Sequence, residues 1–157
     1  MKIIKLDESF YNENNNLQEA LDLIQNNWIE NKTRGFGLVI ININELTFAI
    51  PLRSNIKHKA SFVTKKSHVG NSLGKGLDYS KALLITKSSY ILTEEPFLIP
   101  TDEYISINNK ENYIIKSFEK YVSKYISAVK NNDTHILNSK IYRFTTLKNY
   151  HKELGCN

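Results

Sequence analysis

Cysteine is almost absent. A single one, Cys156, stands next to the last position of a 157-residue chain. That excludes an intramolecular disulfide and any metal site built from cysteines, and the usage fits a reducing compartment. Long hydrophobic runs are missing too: nothing approaches the ~20 consecutive apolar residues that a membrane span needs. The opening MKIIKLDESF holds two apolar residues between its lysines, short of a signal-peptide core. The expectation is a soluble, cytoplasmic protein. The four histidines, His58, His68, His135 and His151, have no metal-motif spacing to each other or to an acid, so no metal is expected. No GxSxG marks a serine nucleophile. GNSLGKG at 70–76 fails as a phosphate-binding loop, because three residues separate Gly70 from Gly74 and Gly76 replaces the required Ser or Thr.

What is present is positive charge. Lys and Arg total 21 against 16 acids, for a formal charge of +5 and a pI near 9.2, a balance that biases the partner list toward polyanions. With 41% apolar residues, the chain is long enough for one domain with one sizeable core.

The apolar spacing of Leu17, Ala20, Leu21, Ile24 and Trp28 predicts an amphipathic helix. Residues 36–43 and 47–52, either side of Asn44-Glu45, predict a β-hairpin. Residues 53–76 read mostly as basic, glycine-bearing loop, with a short strand at 61–64. KALLITK at 81–87 predicts a third strand, and 88–100 short extended pieces broken by Pro96 and Pro100. Asn108 or Asn109 is expected to cap a long helix on the stripe Ile114, Ile115, Phe118, Tyr121, Val122, Tyr125, Ile126 and Val129. Asn131-Asn132-Asp133 stops it. Thr145 or Thr146 is expected to cap a last helix ending at Gly155. Strands joined by turns rather than helices give an antiparallel α+β fold in a single domain, residues 1–157.

The chemistry concentrates in IPLRSNIKHKAS, residues 50–61. Arg53, Ser54, Lys57, His58 and Lys59 crowd together with no carboxylate among them, an arrangement that calls for an anion. If that anion is an RNA phosphate, cleavage without metal uses the RNA's own 2′-hydroxyl as nucleophile. The protein then supplies donors for the phosphorane charge and a proton carrier. Arg53 can grip two phosphate oxygens at once, and Ser54 can donate to a third. Proton transfer falls to His58, whose residue type exchanges protons most readily near neutrality, or to Lys57, crowded by like charge. The plain alternative is a solvated polar loop.

GLDYSKALLI at 76–85, with RGFGLVI at 34–40 and FAIPLRSNIKHK at 48–59, resembles the toxins of type III toxin–antitoxin systems. These are the ToxN/AbiQ-like endoribonucleases, and the likeness is greatest to the TenpN/CptN branch. It runs from about Arg34 to Leu154. The resemblance implies a highly curved antiparallel β-sheet, a MazF-like partial barrel, with flanking helices. It implies metal-independent RNA cleavage to 2′,3′-cyclic phosphate and 5′-hydroxyl ends, without a cofactor, on cellular or phage RNA. The inhibitor would be a repeat-derived antitoxin RNA, a pseudoknot that the toxin itself processes and then holds in a closed toxin–RNA hetero-oligomer.

Carried over position by position, the family's turn serine falls on Ser54, a basic residue of the first hairpin strand on Arg34, and a downstream lysine on Lys57. Arg53 departs from the pattern, standing where the ToxN branch has threonine. The family's long helix offers aromatic RNA contacts at Phe118 and Tyr121, which the apolar stripe reads equally as core. Asp78 and Lys81 either belong to the site, with Asp78 orienting Arg53 or Lys81, or are ordinary turn residues. Lys59, Lys65 and Lys66 complete the basic surface. Tyr142, Arg143, Lys148, Tyr150 and His151 suit stacking on unpaired bases, or an amphipathic last helix.

Overall fold

Two antiparallel strands joined by a tight turn organise the protein, seen in a computed structural model that describes residues 1–29, 38–92 and 99–156. In chain order the strands are β1 (Ile3–Leu6), β2 (Leu23–Ile24), β3 (Asn27–Trp28), β4 (Leu38–Ile43), β5 (Leu46–Ile56), β6 (Ser61–Lys66), β7 (Gly74–Asp78), β8 (Leu83–Leu84) and β9 (Ile91–Leu92). The helices are α1 (Glu8–Glu13), α2 (Thr101–Asn109), α3 (Glu111–Lys130) and α4 (Thr134–Leu137). β4 and β5 form the expected hairpin, closed by the Ile43↔Leu46 pair. Asn44 and Glu45 both take positive φ, 49° and 66°, the turn whose twist matches that of flanking strands.

A seven-stranded sheet runs β6-β7-β5-β4-β1-β9, with β8 also paired to β5. Every pairing is antiparallel. β2 and β3 form a separate ribbon. Among the described strands the sheet is not closed into a barrel; β6 and β9 end its path. The architecture is α+β, in one domain.

Each face of the sheet is covered. On one, Val39, Ile41, Phe48, Ile50 and Leu77 pack against Ile114, Phe118, Tyr121, Val122 and Tyr125 of α3, so the apolar stripe read from the sequence is the core-facing stripe. On the other, Ile4, Leu38, Ala49 and Leu83 pack with Phe10 and Tyr90.

Several expectations are corrected. Residues 17–28 are not a helix. Glu19, Asp22, Gln25 and Asn26 take positive φ, and the chain turns into the β2–β3 ribbon instead. Residues 53–76 are mainly strand rather than loop, because β5 runs on to Ile56 and β6 and β7 pair beside it. Of KALLITK only Leu83–Leu84 is strand, since residues 79–81 form a 3-10 turn. Neither Asn108 nor Asn109 caps the long helix: both lie in α2, and α3 begins after Lys110 without a side-chain cap. Thr145 does cap, accepting from the Leu147 N–H, but the element is a 3-10 turn, Thr146–Asn149. Within 88–100, residues 93–98 lie outside the described residues.

No described helix is long and apolar enough to cross a membrane.

Candidate active site

β7 ends on Asp78, whose side chain is wholly buried. It begins the 3-10 turn by accepting from the Ser80 N–H at 3.0 Å and the Ser80 hydroxyl at 2.6 Å, both on Oδ1. His58 Nε2 stands 3.2 Å from the same oxygen. Arg53 Nη1 donates to Oδ2 at 2.9 Å. One carboxylate thus gathers a guanidinium and an imidazole from the stretch 53–58 and a hydroxyl from its own turn.

Glycine makes the arrangement possible. Arg53 pairs with Gly76 across β5–β7, and Gly76 pairs with Val63 across β7–β6. A Cβ on Gly76 would lie 2.0 Å from the Phe62 carbonyl oxygen, so only glycine admits β6 this closely. With no side chain at Gly76, the guanidinium can cross toward Asp78 farther along β7.

Burial by itself would push the Asp78 carboxyl up. The hydrogen bond and charge of His58, then the bonds from Ser80 and Arg53, outweigh it and hold the group below its ordinary value of 3.8. Ser80 fixes the tautomer of His58. Its one hydroxyl proton goes to Asp78, so toward the imidazole 3.3 Å away its oxygen accepts. Nε2 therefore carries a hydrogen, and a neutral ring keeps its lone pair on Nδ1. That nitrogen is buried with no hydrogen-bond partner.

The turn is clamped from behind. The Tyr79 hydroxyl lies 2.6 Å from Ser117 Oγ on α3, and burial pushes the phenol up to about 12. Thr146 donates to the carbonyls of Ser80 and Ala82.

The sequence-derived candidates divide into three groups. Arg53, His58 and Asp78 meet; Asp78 both begins its turn, accepting from the Ser80 N–H, and accepts from Arg53. The stretch 50–61 lacks a carboxylate in sequence, but Asp78 supplies one in space. Lys57, Lys59, Lys65 and Lys66 are exposed around it. From Arg53 to Leu77 the chain has no acid at all against six cations, Lys75 being the sixth, and Lys65 and Lys75 sit directly opposite on β6 and β7. Ser54 is exposed at the irregularity in β5, and its hydroxyl makes no hydrogen bond to the described residues. His58 meets Ser80, not Ser54.

The remaining candidates sit elsewhere. Phe118 is completely buried, edge-to-face with Phe48 at 5.2 Å. Tyr121 is buried, stacked on Tyr142 at 4.8 Å and donating to Thr145. Both are core and present no face to RNA. Tyr142 and Tyr150 are also buried, and His151 Nε2 engages the Tyr125 hydroxyl at 2.8 Å, so the C-terminal aromatic group is internal packing. Lys81 is only 12% exposed. It donates to the Glu19 and Phe144 carbonyls at 2.8 Å each, and desolvation pulls its pKa down against the pull of Asp78 and Glu19. Lys148 lies 3.9 Å from Glu19 and donates to the Arg143 carbonyl. The Arg143 guanidinium rests over the Phe144 ring at 4.7 Å. Arg34 lies outside the described residues.

Ser80, Gly76 and Thr146 were not among the site candidates read from sequence. Only Ser80 carried a signal, an aspartate followed two residues later by a hydroxyl, the pattern of a turn that satisfies its own backbone.

Among the described residues, no group of three or more His, Cys, Asp or Glu side chains is placed to hold a metal ion. Compared with protein-family models, curated proteins and solved structures, the chain matches none.

Proposed function

We propose that this protein is a metal-independent endoribonuclease, the toxin of a type III toxin–antitoxin pair. The observation that carries the reading is the convergence of Arg53 and His58 on buried Asp78, beside a stretch, Arg53 to Leu77, that holds six cations and no acid. A phosphate docked there meets Arg53, which gives one N–H to Asp78 and keeps others for oxygen ligands; its side chain is 35% exposed.

The 2′-hydroxyl attacks the adjacent phosphorus. The 2′-O–P bond forms and the P–O5′ bond breaks, leaving a cyclic phosphate and a 5′-hydroxyl. His58 Nδ1 takes the 2′-proton as base, its other nitrogen held by Asp78 and Ser80. The ring is 14% exposed with Nδ1 buried, so in this reading the bend at 58–60 opens as RNA docks. Lys57 or Lys59 protonates the departing 5′-oxygen, and Ser54 donates to a non-bridging oxygen. The inhibitor in this reading is a small repeat-derived RNA, cut by the toxin into units and retained. The same proposal extends to the fold, in which the open antiparallel sheet is a curved relative of MazF-like barrels.

The test is purified protein with a structured RNA in EDTA. Expected are fragments with 2′,3′-cyclic phosphate ends, lost in His58→Ala and reduced at least a hundredfold in Arg53→Ala and Ser54→Ala with the fold intact. A mobility shift without fragments makes the protein an RNA-binding module instead, and cleavage that EDTA abolishes overturns the metal-free chemistry.

A further inference from the structure

Phe144 leaves a large apolar ring 52% exposed on a main chain held at successive residues. The Arg143 carbonyl accepts from the Lys148 ammonium at 3.0 Å, and the Phe144 carbonyl from the Lys81 ammonium at 2.8 Å. Thr145 and Thr146 follow, both buried. The Thr145 N–H donates to the Tyr142 carbonyl at 3.1 Å, and the Thr146 hydroxyl to the carbonyls of Ser80 and Ala82. The ring is thus carried in a set place relative to the turn that holds Asp78 and Ser80.

Its surroundings decide the occupant. The Arg143 guanidinium rests over one face of the ring, 4.7 Å from its centroid, and is itself exposed. Among the described residues Arg143 has no carboxylate partner, because Glu19, the acid of this group, lies 4.0 Å from Lys81 and 3.9 Å from Lys148. Lys81 fixes where the pair stands. It follows Asp78 in the same turn, and its ammonium, bonded to the Phe144 carbonyl, lies within electrostatic range of Asp78 and Arg53. Lys81 itself is spent on its two carbonyls and takes no part in binding. We propose that Phe144 and Arg143 form a second RNA subsite. The free face of the ring stacks an unpaired nucleobase and the guanidinium binds that nucleotide's phosphate, on a strand whose scissile phosphate rests on Arg53.

The proposal rests on the endoribonuclease reading for the phosphate on Arg53 and adds a second foothold for the same strand. Unpaired bases are held on aromatic side chains and guanidinium planes, and an arginine packed over a ring keeps N–H groups for phosphate oxygens. With its main chain anchored, the ring loses less freedom when a base arrives. Every base has a π-face, so stacking adds affinity without choosing among bases. The subsite therefore holds the strand in register and leaves sequence preference to other contacts.

Single-stranded 2′-deoxy oligonucleotides, which cannot be cut by 2′-attack, are compared by filter binding with abasic strands of equal length. The base-bearing strand is expected to bind at least fivefold tighter. Phe144→Ala is expected to remove most of that difference by weakening the base-bearing strand alone, and Phe144→Trp to restore it. Arg143→Gln is expected to weaken both strands. A merely structural role for Phe144 would weaken both strands equally in Phe144→Ala, and that result overturns the subsite. So does a Phe144→Ala protein that binds as the wild type does, or a wild type that binds the two strands alike. RNA cleavage assayed in the same preparations reports on the reading beneath. If cleavage persists while the base preference fails, the subsite alone is wrong. If the preference holds without cleavage, the endoribonuclease reading falls and a binding subsite remains; if neither is seen, both fall.

Discussion

Arg53 and Asp78 are joined across neighbouring strands, Nη1 donating to Oδ2 at 2.9 Å. The partner of the basic stretch is thus resident in the fold, 25 residues downstream. A buried carboxylate serving a guanidinium, an imidazole and a hydroxyl is costly to lose, because each donor would be left without its acceptor.

Acid should weaken the fold through this group. The folded-state pKa of Asp78 lies below its ordinary 3.8, so its ionised form stabilises the protein above that value, and the contribution disappears as pH falls through 3.8 to the folded pKa. Urea unfolding from pH 7 to pH 2.5 is expected to show this loss. Asp78→Asn should be less stable by ~1–3 kcal/mol at pH 7 and should have a shallower acid limb. Parallel acid limbs in the two proteins would refute the assignment.

Phe118→Ala should cost ~3–5 kcal/mol, the usual range for emptying a buried aromatic site. Chemical denaturation measures it. A variant of native stability that merely bound RNA less well would show that Phe118 is a contact residue and not core.

RNA binding should weaken with salt, and the exposed lysines should set the slope. Removing Lys65 and Lys66 together should lower the magnitude of the log–log salt dependence by about 1.4, or about 0.7 for each phosphate contact with a single strand. Lys148→Ala, whose ammonium faces Glu19, should leave the slope unchanged. Filter binding across a salt series distinguishes the two.

Gly76→Ala should destabilise by more than ~2 kcal/mol, since its Cβ would meet a backbone oxygen that only a shift of β6 can move. The same shift would pull Val63 and Ser61 from their partners on β7. Thermal unfolding followed by circular dichroism tests this, and a wild-type midpoint would count against the close approach.

Local patterns were legible in the sequence where local chemistry decides. The β4–β5 hairpin follows from β-branched runs around a two-residue turn, and α3 from a stripe of 3.6-residue period. Residues 17–28 misled because the same apolar spacing served a chain that turns at Glu19, Asp22, Gln25 and Asn26; tertiary contacts with Phe10 and Tyr11 won over periodicity. Residues 53–76 misled for the opposite reason. Lysine and glycine are poor strand formers, yet Gly74 and Gly76 sit where β6 crowds β7. Of the candidate site, Arg53 and His58 were visible as a cluster, and Asp78 as an alternative. Their meeting depends on strand register across 20 and more positions, which no spacing within the chain expresses.

Among the described strands β6 ends the sheet, and an end strand is where a strand from another molecule would add. Lys65 and Lys66 stand on that margin, with Lys75 pressed against the first of them. Two copies approaching edge to edge would bring ammonium against ammonium. The same lysines that would greet a polyanion therefore also act as gatekeepers against fibril-like self-recruitment, and neutralising them, as at charge equivalence with nucleic acid, would lift the guard.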